Sequence, residues 1–407
     1  MLLILDYYIF YGFILETLVF AISLMLIPYF LYPKLVDLIY KYQSRDITVN
    51  FKPEEWPSVD IIFAAFNEES VIREKIESIL ALNYPKDLLK IRIGSDCSTD
   101  STDLIIEEFQ KREKIIDFVK MKTRSGKSKI INTLIQRSES KIIVGTDANI
   151  FFHPDALKEM ILPIVNDNKI HLVGGNLVYR GNNKIFLNSI AKNEKSYINW
   201  ENNLKNKEGV IWGSSMGVEG GCYAIRRESF KEIPFGTLME DFFLTMSVLK
   251  SNKKVVIALK AICTEDVSNE SNMEFKRKIR ISQGNWQNLK YFYATVLTNP
   301  FPIGLVFFCH KILRWMLPIF FSLGSLVNII FWLLQGSHIV MISIIFQMLF
   351  LILFILYPER FLPKTISNFL KPLSYFSWMN IALFLGLIRY LRTSENGIWK
   401  PTTRNKL

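Results

Sequence analysis

The distribution of apolar residues constrains this chain most strongly, because its longest apolar runs lie towards its two ends. Three runs of about 19 to 25 residues can each cross a hydrocarbon layer about 30 Å thick as a helix: residues 8–32, 316–334 and 339–357. A fourth, residues 375–391, is marginal at about 17 residues. We therefore predict an N-terminal transmembrane helix within residues 1–33, and two clear and one marginal transmembrane segments within residues 316–391.

Basic residues near these runs predict the orientation of the chain. Lys34, Lys41 and Arg45 follow the first run, and the positive-inside bias then places the middle domain in the cytosol. A secretory signal peptide is disfavoured, because no basic segment precedes the run and no small-residue cleavage site follows it. The bias also places both ends of the marginal segment in the cytosol, which a single crossing would forbid. Either that segment is interfacial or re-entrant, or residues 302–334 contain an additional interfacial helix. The remaining parts are a linker (34–56), an interfacial region (291–315) and a basic tail (392–407).

Charge and cysteine usage exclude several classes of function. The formal net charge is +11, yet no nucleic-acid-binding motif is present. An anionic membrane face and a diphosphate-bearing substrate explain the positive charge better. The four cysteines include no CxxC pair and the four histidines form no cluster. This pattern argues against a disulfide framework or a zinc site and fits a reducing compartment.

Residues 57–290 alternate between short apolar strands and helical spacing. Val59–Ala65 is a predicted strand, and residues 68–82 have the spacing of a helix that Asn67 would cap. Two more strand–helix pairs and a fourth strand follow, which predicts an α/β domain with a mostly parallel sheet and helices on both faces. Ligands of such sheets bind beyond the carboxyl ends of the strands. Asn67, Asp96 and Asp147 are expected at those ends.

The segment KIIVGTDANIFFH ends a predicted buried strand with Asp147-Ala148-Asn149. Side chains at i and i+2 of an extended chain point the same way. Asp147 and Asn149 could cap a turn, or could offer two oxygen ligands to a hard divalent cation, with a substrate phosphate and water completing the shell. Because Asn supplies a neutral oxygen, such a site is weaker than one with two carboxylates.

Two further segments suggest contact with a nucleotide. Asp96 in GSDCSTDST either belongs to a turn that Ser98 or Thr99 caps, or accepts hydrogen bonds from a base or ribose. RSGKSK lacks the first glycine of a Walker A motif, where Met121 stands, so we reject a P-loop. Lys127 can still reach a diphosphate, or simply form part of a basic first helical turn.

Three other segments have both a structural and a functional interpretation. Glu240-Asp241 are either acids at a helix N-terminus or a general base in a cleft. Gly220-Gly221 form either a bulge or a close approach for a ligand. RKIRISQGNWQ is either a basic interfacial helix or a site where Arg280 meets phosphates and Trp286 stacks on a sugar.

Taken in order, FAAFNEES, GSDCSTDST, SGKSKIIN, GTDANIFFHPDAL, GGCYAIRRESF, LMEDFFL and RKIRISQGNW resemble the motifs of family 2 glycosyltransferases. The likeness is strongest to the membrane synthases that make hyaluronan, cellulose and poly-N-acetylglucosamine. It spans roughly residues 57–289, more than half of the chain. The resemblance implies a GT-A fold and inverting transfer from a nucleoside-diphosphate sugar, for which we expect a uridine carrier.

The resemblance also implies roles for individual residues. Asp241 matches the base that deprotonates the acceptor hydroxyl, and Asp147 matches the first acid of the DxD pair, which with Asn149 would hold Mn²⁺ or Mg²⁺. The remaining expected site residues divide between the nucleotide (Ala65, Glu68, Asp96, Lys127 and Arg280) and the acceptor (Gly221, Glu240 and Trp286).

Two motifs depart from the family pattern. Asn149 replaces the second DxD acid, and in the QxxRW motif of processive synthases Arg277 and Ile281 replace the Gln and the Trp. Sugar transfer is therefore better supported than processive polymerisation.

The leading hypothesis is a multi-pass plasma (inner) membrane enzyme, with its catalytic domain in the cytosol, that builds a surface or extracellular polysaccharide. The alternatives are transfer of a single sugar to a lipid carrier or glycolipid, and a catalytically inactive subunit that binds a nucleotide sugar.

Overall fold

The computed structural model describes residues 26–43, 55–180, 189–266, 271–335 and 364–393, with isolated positions between 341 and 352. The middle of the chain forms one sheet of eight strands: β1 (Val59–Ala65), β2 (Leu89–Ser95), β3 (Ile116–Lys120), β4 (Ile142–Thr146), β5 (Ile150–Phe152), β6 (Ile170–Arg180), β7 (Cys222–Arg226) and β8 (Lys254–Asp266). The helices around it are α1 (Tyr32–Gln43), α2 (Ile72–Leu80), α3 (Thr102–Arg112), α4 (Lys127–Gln136), α5 (Ala156–Asn166), α6 (Ser189–Trp212), α7 (Glu240–Lys250) and α8 (Ser271–Phe292).

The strand order is β3-β2-β1-β4-β7-β6-β8-β5. Strands β1 to β4 run parallel, as the alternation with helices predicts. The second half of the sheet is mixed: β7 runs antiparallel to β4 and β6, β6 and β8 are parallel, and β5 closes the edge antiparallel to β8. The α/β prediction is confirmed, with a mixed and mostly parallel sheet.

Alternating side chains of β1 divide the core between the two faces of the sheet. Ile61 and Phe63 are fully buried with α2, α3 and α5 on one face. Ile62 is buried on the other face, against α4 and α7. A strand covered on both faces needs apolar residues at successive positions, which explains why the β1 segment reads as a continuous apolar run.

The turn after β1 differs from the prediction. Helix α2 begins at Ile72 rather than Glu68, and Val71 precedes it without a side-chain cap. Asn67 adopts a positive φ of 53°. Its amide oxygen accepts a hydrogen bond from the Thr99 backbone N–H at 2.8 Å, so Asn67 joins the β1 and β2 loops instead of capping α2.

The expectation of no disulfide was wrong for one pair of cysteines. Cys222 and Cys263 form a disulfide across the sheet, while Cys97 and Cys309 are free thiols. The two bonded residues are 41 positions apart in the sequence and lie on β7 and β8, which both flank β6. Spacing along the chain gave no signal for this pair, because the sheet order alone brings the two strands together.

The described part of the chain contains one helical stretch, Pro300–Leu334, that is long and apolar enough to cross a membrane. It includes the predicted span 316–334 and most of helix α9 (Leu313–Gln335). Residues 375–391 lie in helix α10 (Lys364–Arg392), which packs on α8 where Ser282 Oγ donates to the Leu383 carbonyl at 2.7 Å. Most of the predicted spans 8–32 and 339–357 lies outside the described residues.

Buried ion pairs attach this apolar stretch to the sheet domain. Glu201 of α6 accepts hydrogen bonds from His310 Nε2 at 2.9 Å and from Arg314 Nη1 at 2.8 Å. Glu208 lies about two helical turns further along α6. It contacts His310 Nδ1 at 2.6 Å and accepts a hydrogen bond from the Tyr32 hydroxyl at 2.7 Å. Removing one partner from a buried pair of this kind leaves an uncompensated charge and costs about 3–5 kcal/mol. We call Glu201, Glu208, His310, Arg314 and Tyr32 the anchor cluster.

Gly145 of β4 is expected to tolerate no side chain. A Cβ at this position would lie 2.1 Å from Cζ of Tyr223, which is 1% exposed. Overpacking of a buried site costs about 1–3 kcal/mol, so Gly145→Ala should lower the melting temperature by several degrees in detergent. The matched control is Gly324→Ala, where a Cβ meets nothing within 4 Å. Equal melting temperatures for the two variants would contradict the packing described here.

Candidate active site

The carboxyl ends of three parallel strands meet at one edge of the sheet. Ala65, the last residue of β1, accepts a backbone hydrogen bond from Asp96, which follows β2, at 2.9 Å. Asp147 follows β4, the other neighbour of β1. Glu68 lies in the loop after β1, and its backbone N–H donates to Thr102 Oγ1 at 2.8 Å. The residues expected at strand ends therefore border one cleft.

Asp96 organises the loop that leads into α4. Its fully buried carboxylate accepts hydrogen bonds from the Ser125 N–H at 2.6 Å and from Arg124 Nε at 3.0 Å. The Gly126 N–H adds a further contact at 3.2 Å, and Gly126 has a φ of 81°, which favours glycine. Asp96 thus fixes the loop immediately before Lys127.

Lys127 joins the acids of two different elements. Its ammonium donates to Asp147 Oδ1 at 2.6 Å and also contacts Glu240, the first residue of α7. Burial opposes the charged form of Lys127, but the two carboxylates outweigh burial and raise its pKa. Burial likewise acts to raise the pKa of Asp147, and Lys127 outweighs it so that the pKa is lowered. Asp147 and Lys127 are therefore charged together.

The turn between β4 and β5 carries Asp147 and Asn149. Both are partly exposed, while Ala148 between them is 3% exposed. Beneath the turn, the fully buried Lys75 of α2 donates to Thr146 Oγ1 at 2.8 Å and contacts the Ile150 carbonyl. Burial lowers the pKa of Lys75 well below its usual value, with Asp147 acting in the opposite direction. Lys75 thus contacts the residue before the turn, Thr146, and the residue after it, Ile150.

Two glycines separate Asp147 from the candidate base. A Cβ on Gly220 would lie 3.2 Å from Asp241 Oδ2, and one on Gly221 would lie 3.5 Å from Asp147 Oδ2. Side chains at these positions would occupy the space between the two acids. The tightest contact is with Ile150: a Cβ on Gly221 would lie 2.5 Å from Ile150 Cγ1, so the packing of the turn itself requires this glycine.

Asp241 is buried at the first turn of α7, with 7% of its surface exposed. Burial raises its pKa to about 7, and the neighbouring carboxylates of Glu240 and Glu219 add to the effect, while Lys127 opposes it. A carboxylate with a pKa near neutrality is suited to take a proton from a hydroxyl group.

Helix α8 carries two expected site residues, Arg280 and Trp286, and it brings Arg280 close to the acids of the site. Burial and the neighbouring Arg277 lower the pKa of Arg280, and the carboxylates of Glu240, Asp147 and Asp241 oppose that change. Gly284 packs against Met239 on the same face, where a Cβ would lie 2.5 Å from Met239 Cγ. Trp286, six residues after Arg280, projects from another side of the helix. Its indole Nε1 is buried without a hydrogen-bond partner in the part of the chain that the structure describes.

The oxygen atoms of Asp147 and Asn149 fit a hard divalent cation. They are carboxylate and amide donors, partly exposed at the cleft, which is the chemistry that Mg²⁺ and Mn²⁺ prefer. No group of three or more His, Cys, Asp or Glu side chains in the described ranges is arranged to hold a metal ion alone. Asp147 and Asn149 alone would thus give a cation few protein ligands, leaving room for other oxygen ligands.

Sequence reasoning missed two residues of the site. Lys75 lies on the apolar stripe of α2 with Ile72, Ile76 and Ile79. A lysine on such a stripe is a signal, because lysines are almost never fully buried without a partner. Glu265 of β8 accepts a hydrogen bond from Asn149 Nδ2 at 2.6 Å, across 116 positions of sequence, and no local pattern indicates it.

Comparisons with known proteins agree with this geometry. The sequence profile of Glycosyl transferase family 2 matches residues 60–234. A probable glycosyltransferase of Bacillus subtilis, YdaM, is 27% identical over 241 residues, which cover 57% of this chain and 56% of that protein. The poly-beta-1,6-N-acetyl-D-glucosamine synthase of Staphylococcus epidermidis is 23% identical over 269 residues, covering 65% of this chain and 64% of the synthase. The matched part spans less than two thirds of either relative.

A solved structure shows the same fold over most of the chain. The mannosyltransferase PcManGT of Pyrobaculum calidifontis, in complex with GDP-Man and Mn²⁺, superposes with a TM-score of 0.67 at 18% identity. The superposition covers 91% of this chain and 98% of that one. Residues 60–234 therefore form a glycosyltransferase family 2 domain, and the chain shares the fold of this mannosyltransferase.

Proposed function

We propose that this chain transfers a sugar, with inversion, from a nucleoside-diphosphate sugar to an acceptor hydroxyl at a membrane. The observation that carries the proposal is the placement of Asp241, a buried carboxylate with a pKa of about 7, across Gly220-Gly221 from the charged pair of Asp147 and Lys127. Displacement at an anomeric carbon requires a base on one side of the reacting centre and, on the other, groups that stabilise the departing diphosphate.

Each charged group has a distinct task in this mechanism. Asp241 takes the proton from the acceptor hydroxyl, whose oxygen attacks the anomeric carbon on the face opposite the leaving group. Lys127 and Arg280 stabilise the negative charge that develops on the departing nucleoside diphosphate. Asp96 orients the loop that carries Lys127, and Ala65 and Glu68 border the nucleotide pocket. Glu240 keeps Lys127 in place and raises the pKa of the base.

Asp147 and Asn149 are the residues that would hold Mn²⁺ or Mg²⁺. When bound, the cation neutralises the diphosphate and makes it a better leaving group. Support comes from the oxygen donor set and from the neighbour of the same fold, which was solved with GDP-Man and Mn²⁺.

For the acceptor, we favour a growing surface polysaccharide, in line with the poly-N-acetylglucosamine synthase among the relatives. Gly221 and Glu240 lie beside Asp147 and Asp241 and would contact the acceptor, whereas Trp286 projects from another side of α8, away from these acids. We also propose that the enzyme is a multi-pass protein of the inner membrane, with a cytosolic transferase domain at residues 57–290 and membrane segments within residues 1–33 and 316–391. Transfer of one sugar to a glycolipid is the second candidate, because Arg277 and Ile281 replace the residues that processive synthases carry.

The proposed base is tested by Asp241→Asn. We expect purified protein in detergent, given a panel of UDP- and GDP-sugars with Mn²⁺, to release nucleoside diphosphate from one of them. Loss of a general base slows transfer about 10²–10⁴-fold, whereas binding of the nucleotide should be retained. The exposed Asp87→Asn serves as the matched control. Full activity of Asp241→Asn would exclude this base. The product, either long polymer or a single-sugar glycolipid, separates the two acceptors.

The raised pKa of Asp241 predicts a rising pH profile. Since the base must be deprotonated, kcat/KM should increase about tenfold per pH unit below about 7 and level off above it. Glu240→Gln removes a negative neighbour and should move the midpoint to lower pH. A midpoint that stays in place in this variant would show that Glu240 does not influence the base.

The proposed cation predicts metal dependence. Nucleoside-diphosphate release should stop on addition of EDTA and return with Mn²⁺ or Mg²⁺ in excess. Asp147→Asn should raise the Mn²⁺ concentration needed for half-maximal rate, because a carboxylate ligand is lost. Undiminished release in EDTA would rule out a metal-dependent reaction.

A further inference from the structure

The hydrogen bond between Asn149 and Glu265 determines how the Asn149 amide is oriented. Asn149 Nδ2 donates to Glu265 Oε1 at 2.6 Å. An ionised carboxylate only accepts hydrogen bonds, so it selects the NH₂ end of the amide and turns the carbonyl oxygen away from itself. A hard cation needs that oxygen, since the NH₂ group cannot act as its ligand.

The backbone, rather than flexible side chains, brings the two residues together. Glu265 lies opposite Ile150, the residue after Asn149, in the antiparallel pairing of β5 with β8. The pairing continues through Phe151 with Thr264. Lys75 also holds the turn from below through Thr146 and the Ile150 carbonyl. Sheet register therefore places Glu265 next to the turn that carries Asn149, within reach of its side chain.

We propose that Glu265 is a positioning residue that holds the Asn149 carbonyl oxygen towards the cation bound beside Asp147. It also supplies, from the neighbouring strand, the negative charge that a second acid in the Asp147-Ala148-Asn149 segment would have contributed. This inference rests on the proposed function, because that function is what calls for a cation at Asp147. It explains how an asparagine can stand at this position.

The proposal predicts that Asn149→Asp and Glu265→Gln each impair cation binding alone, and that the two substitutions made together restore it. Asn149→Asp alone places a second carboxylate at hydrogen-bond distance from Glu265, and like charges at that distance repel. Glu265→Gln alone removes the acceptor-only partner, so the Asn149 amide is free to turn its NH₂ group towards the cation. In the double exchange, the introduced glutamine donates to the introduced aspartate, and one carboxylate is again present.

The test is a titration of the purified full chain with Mn²⁺ in the presence of UDP, in which electron paramagnetic resonance measures free Mn²⁺. Partners of metal ligands typically contribute 10–100-fold to metal affinity. We expect Glu265→Gln to weaken Mn²⁺ binding about tenfold or more, Asn149→Asp not to strengthen it, and the double exchange to recover most of the loss. Glu139→Gln, an exposed residue before β4 at the far end of that strand, is the matched control.

UDP binding without metal distinguishes positioning from general damage. We expect this affinity to be unchanged in Glu265→Gln, and its loss would overturn the positioning role. Wild-type Mn²⁺ affinity in Glu265→Gln, or a double exchange no better than the weaker single variant, would also overturn it. If the wild type binds no Mn²⁺ with UDP, both the cation site and this inference fail. Mn²⁺ binding with the expected pattern but no sugar transfer would refute the proposed function and leave the role of Glu265 supported.

Discussion

The salt bridges of Lys127 with Asp147 and Glu240 hold the cleft together. Three acids, including Asp241, converge there from β4 and α7, and carboxylates this close cannot all be charged without a compensating cation. Lys127 provides that charge and comes from a third element, α4. Its own position depends on the loop that Asp96 fixes. One ammonium group therefore links three parts of the fold. These are the end of β4, the start of α7 and the loop at Gly126 that precedes α4.

The same balance divides the acids by role. Asp147 contacts Lys127 directly, and its pKa is lowered. Asp241 is more deeply buried and has Glu240 and Glu219 as neighbours, so its pKa is raised. Two carboxylates within one cleft are thereby suited to opposite tasks, one to attract positive charge and one to accept a proton. Environment, and not residue type, makes this distinction.

The sequence predicted the parts of this architecture that depend on local patterns. The apolar strands with polar residues at their ends located Asp96, Asp147 and the parallel half of the sheet, because burial on both faces leaves a continuous apolar signature. Contacts between distant segments left no such signature. The Asn67 bridge to Thr99, the Cys222–Cys263 disulfide and the pairing of Asn149 with Glu265 all depend on strand order and loop register. Lys75 was detectable in principle as a charge on an apolar stripe.

The anchor cluster has a consequence for how the enzyme works at a surface. Its buried charges join α6 of the sheet domain to the start of the long apolar helix, with Glu201 and Glu208 as the common partners of His310. Ion pairs excluded from water do not slide or exchange readily, so the domain cannot tilt freely about that helix. On the proposed function, in which that helix enters the membrane, the candidate site is held at a set height above it. A membrane-embedded acceptor would then have to present its hydroxyl at this height, so the reach of the acceptor would be a criterion of selection independent of its chemistry.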